Sequence, residues 1–245
     1  MLAAASEAVR ERGLDGLTMQ AIADRLDCAV GTIYTYFPSK SALLAGMMSD
    51  AVQLLLDTYR SASSRWDQQL PGTAPDVAAI ARILAFTDLF VSAQRIHPDE
   101  FQFLQMLITT PESLIDPNDV ASVLPSSLAF LAGVHDLIDG AVNAGALEPP
   151  TGEDDGLRRT LRWTGAIHGS LLIANVAHVS GLPHADAYDS TVLARQVTAD
   201  LLRAWGATAA TVQAASTAAL LLSTAPEQVP VPTGVRVDAR PTDRP

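Results

Sequence analysis

Lysine is almost missing from this chain: Lys40 stands alone against fifteen arginines. Cysteine is as scarce, with Cys28 the only one, so no disulfide can close within the chain. Neither CxxC nor HExxH occurs, which points to a reducing cytoplasm and away from the common zinc motifs. The five histidines, at 97, 135, 168, 178 and 184, include no i, i+4 pair, so no metal site is expected. No nucleophile–base spacing, glycine-rich phosphate loop or metal triad is present, so neither catalysis nor a cofactor is expected. No run of strict alternation calls for a sheet, and no segment repeats at a fixed period. The opening "MLAAASEAVRERG" has neither a basic region nor a long apolar core, so it does not read as a signal peptide. Ala204 to Pro226 carries no ionisable side chain, but it is mostly Ala, Thr and Ser, and a membrane span is not expected there.

Charge weighs against nucleic acid when taken over the whole chain, which carries a net −11. The imbalance is uneven. Residues 1–60 hold 5 Lys/Arg against 7 Asp/Glu, whereas residues 61–245 hold 11 against 20. Most of the acidity therefore lies outside the first 60 residues.

What is present is helical periodicity, punctuated by glycine and proline. Leu2, Ala5 and Val9 share one face of a helix over 2–12 that stops at Gly13. Thr18 is placed to cap a helix over 19–26, with Ile22, Ala23 and Leu26 inward. A third covers 29–36 with Val30, Ile33 and Phe37 inward, Pro38 breaks it, and Ser39 caps a fourth over 40–62. "QQLPGTAPD" reads as a loop. Further helices are predicted over 76–96, 99–109, 118–145 (interrupted at Pro125), 154–180, 187–206 and 208–223. The expected fold is all-α. The tail from Pro226 has 5 prolines in 20 residues and reads as a flexible extension.

Two short helices joined by a tight turn, with a third in front, describe a helix-turn-helix. Residues 29–36 place Thr32, Tyr34, Thr35 and Tyr36 on positions the core does not claim, where hydroxyls and rings can meet phosphates, sugars and base edges. Lys40 opens the next helix, whose unpaired N–H groups already favour an anion, so it reads as a phosphate anchor.

The stretch "AASEAVRERGLDGLTMQAIADRLDCAVGTIYTYFPSKSALL" resembles the DNA-binding domain of TetR-family transcriptional regulators. The points of likeness are Glu-Arg-Gly at the end of helix one, Thr-x-x-x-Ile-Ala in helix two, and Gly-Thr-Ile-Tyr-x-x-Phe-x-Ser-Lys. The resemblance implies DNA contacts at Thr18, Ala29, Val30, Thr32, Tyr34, Tyr36 and Lys40, with Gly31 keeping the helix close to DNA. It departs from the family at Asp27-Cys28-Ala29, where Gly-Val-Ser is common. Ala29 then lacks a capping hydroxyl, Asp27 must take a turn usually left to glycine, and Cys28 reads as a small buried apolar group. No basic arm precedes the first helix in this sequence.

The family's C-terminal domain binds a small molecule and dimerises through its last two long helices. The implied organisation is a helix-turn-helix domain at 1–46, a ligand-binding and dimerisation domain at 47–207, and a short helix with a Pro-rich tail at 208–245. Phe86, Phe90, Phe101, Phe103, Met106, Phe130 and Trp163, with His135 and His168, are the candidates to surround a ligand cavity. Gly165 and Gly169 give helix 154–180 a narrow face suited to close helix approach. Leu172, Leu193, Val197 and Leu201 join them as the expected dimer interface. The implied function is a homodimeric repressor that binds a palindromic double-stranded DNA operator and is released by an apolar or amphipathic effector. The competing reading is a helical small-molecule-binding protein without specific DNA binding.

Overall fold

A computed structural model describes residues 1–98, 101, 105, 115–174 and 189–223. The candidates Phe103 and Met106, most of the helix predicted over 99–109, residues 175–180 and the tail from 224 lie outside those residues. Among the described residues the chain is all-α, with no strand. Its helices are α1 (Leu2–Arg12), α2 (Met19–Arg25), α3 (Val30–Tyr36), α4 (Lys40–Gln69) and α5 (Pro75–Ile96). They are followed by α6 (Pro117–Val120), α7 (Leu124–Asn143), α8 (Asp155–Ala174), α9 (Ser190–Ala204) and α10 (Ala209–Ser223).

Local chemistry sets most of these ends. Thr18 Oγ1 accepts the Ala21 N–H at 3.0 Å, and Ser39 Oγ accepts the Ala42 N–H at 2.9 Å, each satisfying a donor that the helix leaves free. Two ends differ from the periodicity. α4 runs to Gln69, seven residues past the predicted stop, because Ala62 and Trp66 continue its buried face. Helices then encroach on "QQLPGTAPD" from both sides. Pro125 stands in the first turn of α7 and opens that helix rather than interrupting one, since a missing N–H costs nothing there.

Two clusters of buried side chains divide the molecule. Ala4, Ala5, Ala8, Leu17, Met19, Ile22, Ala23, Ile33, Leu43, Leu44 and Met47 form the smaller, within α1–α3 and the start of α4. The larger draws on α4 from Ala51 onward, α5 and α7–α10. α4 therefore runs through both. α10 lies along α5, and Thr211 Oγ1 reaches Asp76 Oδ2 at 3.4 Å, so the two helices start side by side. Val212, Ala215, Ala219 and Leu222 make α10 part of the larger core. No described helix is long and apolar enough to cross a membrane.

Candidate nucleic-acid interface

The turn between α2 and α3 is built by backbone geometry that the local sequence only partly favours. Asp27 has φ 49°, the one non-glycine described residue with positive φ. Its N–H reaches the Asp24 carbonyl at 3.4 Å, and the Cys28 N–H reaches that of Ala23 at 3.0 Å. This pair of bonds is the Schellman closure of a helix C-terminus, with Asp27 where glycine is usual. Asp tolerates the left-handed region better than most residues. Cys28 is half-buried against the smaller core rather than fully buried. Ala29 precedes α3 without any side-chain cap, and the Thr32 N–H bonds its carbonyl at 2.8 Å.

α3 is anchored by one fully buried residue, Ile33, with Val30 and Phe37 half-buried beside it. Everything else on the helix faces outward. Tyr34 is 50% and Tyr36 62% exposed, so neither ring belongs to the core. Thr32 and Thr35 are exposed too, and Thr35 Oγ1 donates back to the Gly31 carbonyl at 3.0 Å. A Cβ built on Gly31 would meet nothing within 4 Å, so α3 is bare there.

Thr18 is exposed at the start of α2, and its Oγ1 is already engaged as the cap. Lys40 is exposed as expected, but its Nζ donates to the Leu14 carbonyl at 2.9 Å, tying α4 to the turn after α1. An ammonium has three protons, so this bond leaves two for a phosphate. α1 and α2 are braced by Arg25, which bonds Glu7 at 2.9 Å and Glu11 at 2.5 Å. The arginine holds the Glu11 carboxyl below its ordinary range, chiefly through that hydrogen bond.

Residues 1–47 match the family described as bacterial regulatory proteins, tetR family. That match spans the helix-turn-helix segment and supports a TetR-family regulator. A 36-residue stretch is 53% identical to the HTH-type transcriptional repressor KstR of Mycobacterium tuberculosis, covering 15% of this chain and only 16% of that repressor. The fold resembles that of a protein of unknown function from Rhodococcus sp. RHA1 (19% identity, 83% of this chain and 92% of that one, TM-score 0.62). It also resembles the fatty acid degradation regulator FadR from Bacillus halodurans (17% identity, 82% and 95%, TM-score 0.57). AmtR from Mycobacterium smegmatis aligns at 18% identity over 92% and 94%, with a TM-score of 0.51. At such identities the likeness is one of fold.

Of the aromatic residues singled out from the sequence, Phe86, Phe90, Phe101 and Trp163 lie in the larger core and Phe130 packs against it. Phe86 lies 5.3 Å from Trp163 and 6.1 Å from both Phe90 and Phe130, centroid to centroid. Phe90 meets Phe101 at 5.4 Å, Phe130 at 6.2 Å and His168 at 4.9 Å. Tyr59 of α4, which sequence reasoning passed over, stands edge-on to Phe86 at 5.2 Å. His135 sits elsewhere. Its Nδ1 is 2.9 Å from Thr160 Oγ1 and its Nε2 3.5 Å from Asp139, over Gly156 at the start of α8. Beside the aromatics, Trp163 Nε1 donates to Thr198 Oγ1 at 3.1 Å, and Thr198 pairs with Thr87 Oγ1 at 3.1 Å.

The outer side of α8 is apolar and open. Leu157, Leu161, Leu172 and Ile173 are all exposed, and a Cβ on either Gly165 or Gly169 would touch nothing within 4 Å. On α9, Val192 is exposed and Leu193 and Val197 are half-buried, while Leu201 leans on the larger core of its own chain.

A further set of residues carried no signal in the sequence. Ile115 packs against the smaller core, the Asp116 N–H donates to Ser41 Oγ at 2.6 Å, and Ser39 Oγ lies 3.5 Å from Asp119 Oδ2. This strap grips the start of α4 from more than seventy residues away in sequence, a separation that local patterns do not report.

Proposed function

We propose that the protein is a homodimeric repressor of a palindromic operator, released when a small apolar or amphipathic effector enters its C-terminal core. The observation that carries this is α3: one buried anchor, Ile33, and a bare outward face of Thr32, Tyr34, Thr35 and Tyr36 beside an unobstructed Gly31. TetR-family regulators bind DNA and usually act as dimers. Thr18, Ala29, Val30, Thr32, Tyr34, Tyr36 and Lys40 would make the DNA contacts, and two copies of α3 would enter successive major grooves about 34–36 Å apart. The dimer would form on α8 and α9, through Gly165, Gly169, Leu172, Leu193 and Val197, with Leu201 at the edge. The protein would act in the cytoplasm, without catalysis.

The effector site in this reading is the cluster of Phe86, Phe90, Phe101, Phe130, Trp163 and His168, extended by Phe103 and Met106. Only 13 residues lie between Phe101, packed on Phe90, and Ile115, packed on the smaller core. A change at the aromatic cluster would thereby reach the strap on Ser39 and Ser41. Coupling of this kind is typically about 1–3 kcal/mol, a 5- to 150-fold change in affinity.

Footprinting of the DNA flanking its own gene, at stated salt, tests the reading. The expected result is one protected, two-fold-symmetric segment that a Lys40→Ala, Tyr36→Ala double variant no longer protects while keeping its helical content. No protected segment even at low salt would leave the small-molecule-binding alternative in its place.

A further inference from the structure

Polar groups beside the aromatic cluster are mostly committed to one another. Thr87 Oγ1 donates to the Ile83 carbonyl at 3.1 Å, so Thr198 donates to Thr87 while accepting from Trp163. Both oxygens of Asp88 are held by Arg195. The protons of Thr87, Thr198 and Trp163 are all engaged, so none of these three can donate to a ligand.

His168 differs. Its Nδ1 lies 2.8 Å from the Thr164 carbonyl, an atom that only accepts, so Nδ1 carries the proton. In the neutral ring Nε2 is then an acceptor, and no hydrogen bond joins it to a described residue. Burial depresses the ring's basicity and keeps it neutral. The imidazole stands edge-on to Phe90, which also touches Phe101 and Phe130. At the end of α5, His97 Nε2 is buried without a partner. His97 follows Phe90 by seven residues, which puts it on the same side of that helix.

Arg195 is taken up by Asp88, and no other cation stands among the described residues of the cluster. An anionic ligand would be buried there without a counter-charge, at a heavy cost. A neutral hydroxyl suits the acceptor. Resting on the effector-site reading above, we propose that the effector is an uncharged, predominantly ring-bearing molecule whose O–H donates to His168 Nε2 while its body lies against Phe90, Phe101 and Phe130.

Calorimetric titration of the full chain with 2-naphthol and with 2-methoxynaphthalene tests this, since the two probes share a ring system and differ in the O–H. Naphthol should bind about 5- to 10-fold more tightly, the worth of one net hydrogen bond. That ratio should fall to about one in His168→Phe and recover in part in His168→Gln, whose carbonyl again accepts. Equal affinities for wild type, or an undiminished ratio in His168→Phe, would overturn the inference and leave the cluster as an apolar pocket. Binding of neither probe would remove the effector-site reading itself, and the inference with it. The wild-type comparison needs no variant to fold.

Discussion

Arg195 clasps Asp88 in a two-pronged pair, Nε to Oδ1 at 2.5 Å and Nη2 to Oδ2 at 2.6 Å, joining α9 to α5 across 107 residues. The carboxylate is almost buried and the guanidinium 39% exposed. The hydrogen bond to Asp88 raises the arginine's basicity despite the opposing effect of burial. Removing the cation strands a buried carboxylate. Arg195→Ala should therefore lower unfolding free energy by about 2–3 kcal/mol, less than for a fully buried pair because water already reaches one partner. Denaturant titration checks it, and Asp88→Asn, Arg195→Met should regain part of the loss.

Gly31 allows the proposed DNA binding to be tested apart from folding. A side chain there meets no atom of the chain, and glycine is a poor helix former. Gly31→Leu should keep or slightly raise the melting temperature. The same side chain would stand between α3 and DNA, so operator affinity should fall at least tenfold in a gel-shift titration. An unchanged affinity would mean that this side of α3 does not approach the duplex.

Gly165 and Gly169 permit a parallel experiment on assembly. Both are open within one protomer. Gly165→Leu, Gly169→Leu should leave monomer helicity intact while shifting sedimentation equilibrium from dimer toward monomer. Persistence of the dimer would move the interface off α8.

His168 predicts a pH dependence of stability. Burial lowers its folded pKa below the ordinary 6.5, so the unfolded chain takes up the proton first. The stabilising contribution of the neutral ring is complete above about pH 6.5 and is lost as pH falls below it, by at most about 1.4 kcal/mol per pH unit. Unfolding free energies between pH 7.5 and 5 should fall less steeply for His168→Phe than for wild type.

Much of this architecture was legible in the sequence because its signals are local. Thr18 and Ser39 announced their helices, and the apolar period placed Ile22 and Ile33 inward. The same spacing argument could not say that α4 continues to Trp66, because the charged and polar residues between Asp57 and Asp67 dilute the period. Nor could it distinguish a proline that breaks a helix from one that starts it, as Pro125 does.

The candidate sites divide along the same line. Exposure of Tyr34 and Tyr36 agrees with their place outside the apolar set Val30, Ile33 and Phe37. Lys40 reaching Leu14, His135 turning to Thr160, and Asp116 donating to Ser41 depend on pairs between 25 and 75 residues apart. Such contacts arise from packing angles between helices, which composition and period leave undetermined. Phe103 and Met106 lie outside the described residues.

α4 is one unbroken helix of 30 residues that starts just after α3 and ends beyond Trp66. At 1.5 Å per residue it is a rod of about 45 Å, and tilting such a rod by about 5° moves one end roughly 4 Å relative to the other. A sub-ångström adjustment near Tyr59 is thus magnified at Lys40 by leverage alone. In the proposed dimer, the two copies of α3 would then drift out of step with the helical repeat of DNA without either changing its own internal structure.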